Sequence, residues 1–490
     1  MSAPFRFDNT YARLPEAFFA RQEPEPVPEP GWIAFNESMA ESLGLDAHRL
    51  GQDDGLKIFS GNRVPDGAQP LAMAYAGHQF GHFVPRLGDG RAILLGEVID
   101  RQDRRRDIQL KGSGPTPFSR AGDGRSALGP VLREYLVSEA MHALGIPTTR
   151  ALAAVTTGQT VYRDRPLPGA ILTRTAASHV RVGTFQYFAA RGDNQAVRTL
   201  GRYVIDRHYP QCNQASPWLA LLEAVLERQA SLVARWMQTG FIHGVMNTDN
   251  MSIAGETIDY GPCAFMDRFD PATVFSSIDH QGRYAWANQA PIAQWNLARL
   301  AESLVGVMDE DGLDAPTEAN RVLETFPDRF QAHWLAGMRR KLGLTTEEPG
   351  DAGMVDELLD LLHRSSADFT NAFRALADAP DDDRAGAFRA ELNRPELADE
   401  WLQSWRRRLA REAVEDTRRG DAMRAASPAF IPRNHLIEQA ISGAVESSDY
   451  SLFNELRQVL ARPFTDQPGK DDFARPPEPH ERVYQTFCGT

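Results

Sequence analysis

Cysteine is scarce in this 490-residue chain: Cys212, Cys263 and Cys488 stand far apart. That count excludes a disulfide-built scaffold and the paired spacing of a structural zinc site, and it fits a reducing compartment, the cytoplasm. Long apolar runs are missing too. No stretch approaches the roughly 18 consecutive apolar residues of a membrane helix. The N-terminal stretch mixes Arg with Asp and Glu, unlike the apolar centre of a signal peptide. A soluble protein with no membrane partner is expected. Basic residues are outnumbered, 53 Lys and Arg against 66 Asp and Glu, giving a net charge of -13. A general nucleic-acid binder needs the opposite balance, so no nucleic-acid partner is expected. A local basic pocket for a small anion remains compatible.

What the chain does have is length and an ordinary core composition. With 490 residues, 42% hydrophobic and 24% charged, it exceeds one ordinary core, and two or three domains or lobes are expected. EPEPVPEPG at 23–31 reads as a Pro-rich connector, and WIAFNESMAESLGL after it as a short helix stopped at Gly44. Residues 91–100 and 107–112 read as an antiparallel hairpin, with Lys111 at the end of its second strand. Leu128, Val131, Leu132, Tyr135, Leu136 and Leu144 follow the spacing of an amphipathic helix stopped by Gly145 and Pro147. Glu134 falls beside this stripe. Residues 148–175 return to short strands. From Ala176 onward the pattern is mostly helical, and the end from Gly469 reads as a Pro-rich irregular tail.

A strand lysine, a helix glutamate and a later loop with Asn and Asp follow the order of parts in protein kinases. Kinases read H-R-D-x-x-x-x-N and then D-F-G; the first Asp takes the substrate's proton, while the Asn and the second Asp hold magnesium. Here HGVMNTDNMSI begins at His243 and TIDYGP follows. Asn250 arrives on schedule and Asp259 opens the second motif, but Val245 stands where the catalytic Asp would be. Asn250 and Asp259 are the hard oxygen ligands that magnesium takes beside phosphates and water. Asp249 is the nearest carboxylate able to accept a hydroxyl proton.

Lys111 is a candidate grip on a nucleotide phosphate, oriented by Glu134, with Glu139 the rival for that partnership. LGDGRA at 87–92 and AGDGRS at 121–126 echo each other. Their glycines let backbone N–H groups approach phosphate oxygens, and the arginine after each adds a forked donor. Read singly, each is also an ordinary turn. Arg174 and Arg181, seven residues apart, would face one direction if their segment were helical. HQGRYAWANQ at 280–289 reads as packing for the loop after Asp259 rather than as a peptide-binding surface.

With YAGHQFGHFVPRLGDGRA, QLKGSGPTPFSRAGDGRSALGPVLREYLVSEAMHALGIPTTRAL, HGVMNTDNMSI, TIDYGP, DHQGRY and YQTFCGT, the chain resembles the SelO/YdiU (selenoprotein O) family over nearly its whole length. The resemblance implies an α+β, protein-kinase-like two-lobed fold. Its parts would be an N-terminal segment on the core (1–60), an N-lobe with nucleotide-binding loops (61–175), a C-lobe with the catalytic and metal motifs (176–330), and a helical C-terminal region and tail (331–490). It implies AMP transfer from ATP to Ser, Thr or Tyr hydroxyls of proteins, self-modification included, with release of pyrophosphate and Mg2+ or Mn2+ as the metal. UMP transfer from UTP, or a nucleotide-binding scaffold without turnover, are the alternatives.

Carried onto this sequence, the resemblance makes Gly88, Gly90, Arg91, Lys111, Asp123, Gly124, Arg174, Arg181 and Asp259 nucleotide-binding. Glu134 would orient Lys111, Asn250 and Asp259 would hold the metal, and Asp249 would accept the proton. It also implies ATP bound in reverse relative to a kinase. The γ end would then sit deep on Lys111, Arg174 and Arg181, and the α-phosphate would face the hydroxyl. A base aimed at a γ-phosphate would be misplaced, which accounts for Val245. Cys488 holds the place of a selenocysteine found in some members, and a disulfide from it to Cys212 or Cys263 is a redox hypothesis.

Overall fold

The structure, a computed structural model, describes residues 5–487; Cys488 and any bridge to it lie outside them. Twelve strands are described: β1 (Phe19–Arg21), β2 (Gly31–Phe35), β3 (Leu71–Met73), β4 (Gly77–Gln79), β5 (His82–Val84), β6 (Ala92–Ile99), β7 (Arg105–Lys111), β8 (Ser126–Ala127), β9 (Arg150–Tyr162), β10 (Pro166–Ala176), β11 (Phe241–Ile242) and β12 (Ala264–Phe265). All but the last two precede residue 177. Eight form one sheet in the order β1-β3-β6-β7-β10-β9-β2, with β8 paired to β10. Both edge strands come from the N-terminal 35 residues.

Alternation along β7 gives the sheet its two faces. Ile108 and Leu110 join Leu95, Val98, Leu152, Val155 and Ile171 in a core shared with the short helices Glu37–Ser42, Ala47–Leu50 and Asp53–Phe59. Asp107, Gln109 and Lys111 take the other face. There the helix Leu128–Ala143 buries Val131, Leu132, Tyr135 and Leu136 in one core with Leu94 and Leu172. Each such side chain contributes about 1.5–3 kcal/mol on burial, so the helix and its Glu134 are fixed against the sheet.

Two local expectations are corrected. The helix expected over WIAFNESMAESLGL splits: residues 31–35 pair with β9, and the helix begins only at Glu37. Asn36 is the reason, because its side chain accepts the Met39 N–H at 3.1 Å and caps the helix there. The short strands expected over 148–175 are two long ones, of 13 and 11 residues. Pro168 does not break β10 because the register shifts beside it, between Pro168 and Ala170.

Beyond β10 the chain is helical, and its apolar side chains, among them Trp218, Leu221, Leu297, Leu300 and Trp405, continue the same core. No helix among the described residues is long and apolar enough to cross a membrane. The segment after β12 is tied to the C-terminal helices by the fully buried Arg433. It donates to Asp267 Oδ1 at 2.9 Å, to Asp368 at 2.7 and 3.1 Å, and to the Ala474 carbonyl at 2.7 Å. Removing it strands a buried carboxylate. Arg433→Leu is expected to lower stability by about 3–5 kcal/mol, read by urea unfolding. Arg433→Lys should recover only part, since one ammonium cannot make the fork.

Candidate active site

The polar face of β7 opens onto a cavity of about 1040 Å3. Every residue singled out for nucleotide, metal or proton transfer lines it: Gly88, Gly90, Arg91, Lys111, Asp123, Gly124, Glu134, Arg174, Arg181, Asp249, Asn250 and Asp259. Besides the two glycine loops, β7, the helix Leu128–Ala143, the stretch from Arg174 to Arg181 and the segment between β11 and β12 converge there. Lys111 ends β7. Arg174 lies beside Gln109 on β10, because those two residues are register partners. Glu134 comes from the helix Leu128–Ala143, and Arg181 precedes the helix Val182–Ala189. Asp249, Asn250 and Asp259 come from the segment between β11 and β12, which pair with each other.

The centre is a knot of charge around Asp259. Its Oδ1 accepts from Lys111 Nζ at 2.8 Å and from Arg174 Nη1 at 2.6 Å, and its Oδ2 accepts from Arg181 Nη1 at 2.7 Å. Glu134 completes the knot, taking Lys111 at 2.6 Å and Arg174 at 3.0 Å. Glu139, the rival partner, is engaged elsewhere: it binds Arg150 at 2.7 and 2.8 Å and Asn36 at 2.8 Å. Burial works to raise the proton affinity of Asp259, but Arg174, Lys111 and Arg181 together hold it well below the usual carboxylate range. Asp89, 3.8 Å from Arg181, adds a third carboxylate, so the buried end of the cavity is a balanced cluster whose guanidinium and ammonium groups are fixed donors to an anion.

Asp249 has the opposite environment. Burial pushes its proton affinity up to about 6, against the pull of Arg181. Its Oδ2 accepts weakly from Gln79 Nε2 at 3.4 Å, and its Oδ1 is buried without a hydrogen bond. The β4–β5 hairpin lies across this loop. His78 N donates to Thr248 Oγ1 at 2.7 Å, and Phe80 N donates to Asn247 Oδ1 at 3.0 Å. Gly77 is in van der Waals contact with Asp249: a β-carbon there would stand 2.5 Å from Asp249 Oδ1. Val245 is buried and apolar on the cavity wall. The ring of His243 does not reach the cavity, being held by the Ile258 carbonyl at 2.9 Å.

Asn250 and Asp259 each keep an oxygen free for a divalent cation. Asn250 gives its amide nitrogen to the Val245 carbonyl at 2.9 Å, which leaves Oδ1 as its other end. Asp259 uses three of about four lone-pair directions, so one on Oδ2 remains. Among the described residues no cluster of three or more His, Cys, Asp or Glu is arranged to hold a metal ion. One or two protein oxygens beside phosphates and water is the set magnesium usually takes, and Asn250 with Asp259 fits it.

The comparisons agree with this chemistry. Residues 3–461 match the family model described as protein adenylyltransferase SelO. The chain belongs to the SelO protein adenylyltransferase family. Similar proteins include one named protein nucleotidyltransferase YdiU from Rhizobium etli (strain CIAT 652), 62% identical over 491 residues, covering 100% of this chain and 98% of that protein. One of the same name from Rhodopseudomonas palustris (strain BisB5) is 60% identical, with both chains covered completely. The protein is therefore an enzyme of the nucleotidyltransferase type, acting on a nucleotide.

Against that family background, the two G-D-G echoes do different work. Asp89 is buried, accepting from Met73 N and Gln109 Nε2, each at 3.1 Å. Gly88, at φ 74°, leaves no room for a β-carbon against Phe118. Asp123 lies near the surface, bonded to Arg163 at 2.9 and 3.1 Å, and Gly124, at φ 64°, packs on the Gly114 backbone. Arg91 lines the cavity with no carboxylate partner among the described residues.

The segment from Arg174 to Arg181 is not helical. A strand end and a turn bring the two together instead, because β10 runs to Ala176 and the helix starts only at Val182. Residues missed in the sequence include Gln109, which accepts from Arg174 Nε at 2.8 Å and links it to Asp89. The alternation Asp107-Gln109-Lys111 was a usable signal for it. Gln79 was missed as well; the contact it makes, across 170 residues, has no local signature. Arg125, the arginine after the second glycine loop, lines the cavity with its Nη1 buried without a hydrogen bond. Gly77→Ala is expected to displace the Asp249 carboxylate and lower nucleotidyl transfer by about tenfold or more. Nucleotide affinity, measured by calorimetry, should change little.

Proposed function

We propose that the protein transfers AMP from ATP to Ser, Thr or Tyr hydroxyls of proteins, its own chain included, and releases pyrophosphate. The nucleotide would lie reversed relative to a protein kinase. In this reading the inner strands of the sheet and the helix Leu128–Ala143 form the smaller lobe of a kinase-like fold (61–175), to which the N-terminal segment (1–60) adds both edge strands, and the catalytic loop belongs to a helical lobe (176–330). The N-terminal segment and the C-terminal helices pack on these. The supporting observation is the distribution of charge: Lys111, Arg174 and Arg181 crowd one buried carboxylate, whereas the place of a kinase's base is the apolar Val245.

Lys111, Arg174 and Arg181 then hold the terminal phosphates, with backbone of the two glycine loops above them. The α-phosphorus faces Asp249. A hydroxyl oxygen attacks it, and the bond to the pyrophosphate oxygen breaks in line. The hydroxyl proton passes to the Asp249 carboxylate, whose Oδ2 holds only a weak bond from Gln79; a proton affinity near 6 suits a general base at neutral pH. The fixed cations meet the charge gathering on the leaving pyrophosphate, where preorganised donors contribute most. Asn250 and Asp259 would hold Mg2+ or Mn2+, which when bound neutralises phosphate charge.

Incubation with α- or γ-labelled ATP, or α-labelled UTP, and a mixture of acceptor proteins tests this. Label is expected to reach protein from the α position only, with the added mass of AMP. Asp249→Ala and Asp259→Ala should each lose about a hundredfold or more in rate. Transfer of γ-label alone would make the protein a kinase, and tight ATP binding without transfer would make it a scaffold.

A further inference from the structure

The 280–289 stretch does pack the loop after Asp259, since Tyr284, Ala285 and Trp286 are buried. Arg283 departs from that pattern. It is half-buried, its guanidinium stacked 4.8 Å from the centre of the Trp295 ring, with Arg299 at the same distance from that ring. Its guanidinium carbon also lies 3.7 Å from where a β-carbon on Gly81 would stand. The group is therefore held between an indole and the turn of the β4–β5 hairpin, a fixed donor rather than a waving one.

No carboxylate among the described residues pairs with it. Asp279, the nearest acid in sequence, accepts from the backbone N–H groups of Arg283 and Tyr284 at 2.9 and 2.8 Å. Glu302 is taken by Arg299 at 2.6 Å. The other polar neighbours bring no negative charge: His78 meets Trp295 edge-on at 5.3 Å, and the Tyr284 hydroxyl, which Arg283 reaches, donates to Asn247 Oδ1 at 2.7 Å. Arg283 Nε is buried without a hydrogen bond, leaving only the terminal nitrogens to meet an acceptor. In a chain of net charge -13, a fixed guanidinium without a counter-ion is out of character.

Its place gives it a use. Arg283 does not line the nucleotide cavity, so it is not a phosphate ligand there. It touches the hairpin whose Gln79 reaches Asp249, and whose Phe80 lines the cavity and packs, tilted, on Tyr284 at 5.1 Å. The charge thus sits against the hairpin that holds Asp249, outside the nucleotide cavity. We infer that Arg283, stacked on Trp295, binds an acidic side chain adjacent to the acceptor hydroxyl of the protein substrate. This rests on the protein-hydroxyl reading above.

The test uses fluorescent acceptor peptides that differ by one Asp, Asn or Lys, moved through the positions flanking the hydroxyl residue. Anisotropy measures docking without turnover, and α-labelled ATP measures kcat/KM. Wild type should bind the best Asp peptide about three- to tenfold more tightly than its Asn counterpart, with the gap closing at high salt. Arg283→Gln should erase the gap and Arg283→Glu should favour Lys, while Arg283→Lys keeps part of it; ATP affinity should be the same in all. Equal affinity of wild type for Asp and Asn peptides at every position, or an Asp preference surviving in Arg283→Glu, overturns the inference. An Asp preference in binding with no α-label on any peptide would leave Arg283 its role and sink the transfer reading instead.

Discussion

Everything in the cavity depends on how one carboxylate, Asp259, is shared by Lys111, Arg174 and Arg181. Taking an ion out of water costs several kcal/mol, so sheltered charges persist only where each is answered by another. Here the answer is collective. Glu134 alone could not balance Lys111 and Arg174, and Asp259 could not hold three cations by itself; Asp89, 3.8 Å from Arg181, supplies the third acid. What the cluster offers the oxygens of a polyanion is a fixed array of donors. The arrangement also links distant elements, since loss of any member leaves another charge stranded.

A second layer keeps the first in register. Gln109 accepts from Arg174 with its oxygen and donates to Asp89 with its nitrogen, and Asp89 is pinned by the Met73 N–H. This chain of bonds runs across neighbouring strands, so the sheet, a rigid support, sets the direction of the guanidinium. Asp249, by contrast, is shaped by exclusion. Gly77 crowds it, water is kept away, and one oxygen is left without a bond. Two acids of the same short loop region are thus driven to opposite proton affinities by their surroundings alone.

Much of this was legible in the sequence because it is local. The hairpin ending at Lys111, the amphipathic helix carrying Glu134, and the spacing from His243 to Asn250 are patterns of a few residues, read by periodicity or count. What escaped was set by distance. Arg174 and Arg181 look like a helical pair by spacing, yet the strand continues to Ala176 because β7 and β9 flank it on both sides. Asp89 and Asp123 sit in nearly identical words but differ in burial, since only one lies beneath a packed neighbour. Arg283 looked like loop filling, and its lack of a counter-ion appears only when every nearby acid has been located.

The hairpin at residues 77–84 carries one more implication. It grips the loop around Asp249 across 170 residues of chain, and closing a loop of that length costs on the order of 4–5 kcal/mol in chain entropy. Contacts so distant form after local structure is in place. During synthesis the hairpin leaves the ribosome long before the loop it must hold, and the sheet is finished well before the acid it shelters is made. The cationic cluster waits on the same stretch, so a polypeptide stalled or cut before residue 249 would carry Lys111, Arg174 and Arg181 without the Asp259 carboxylate that they share.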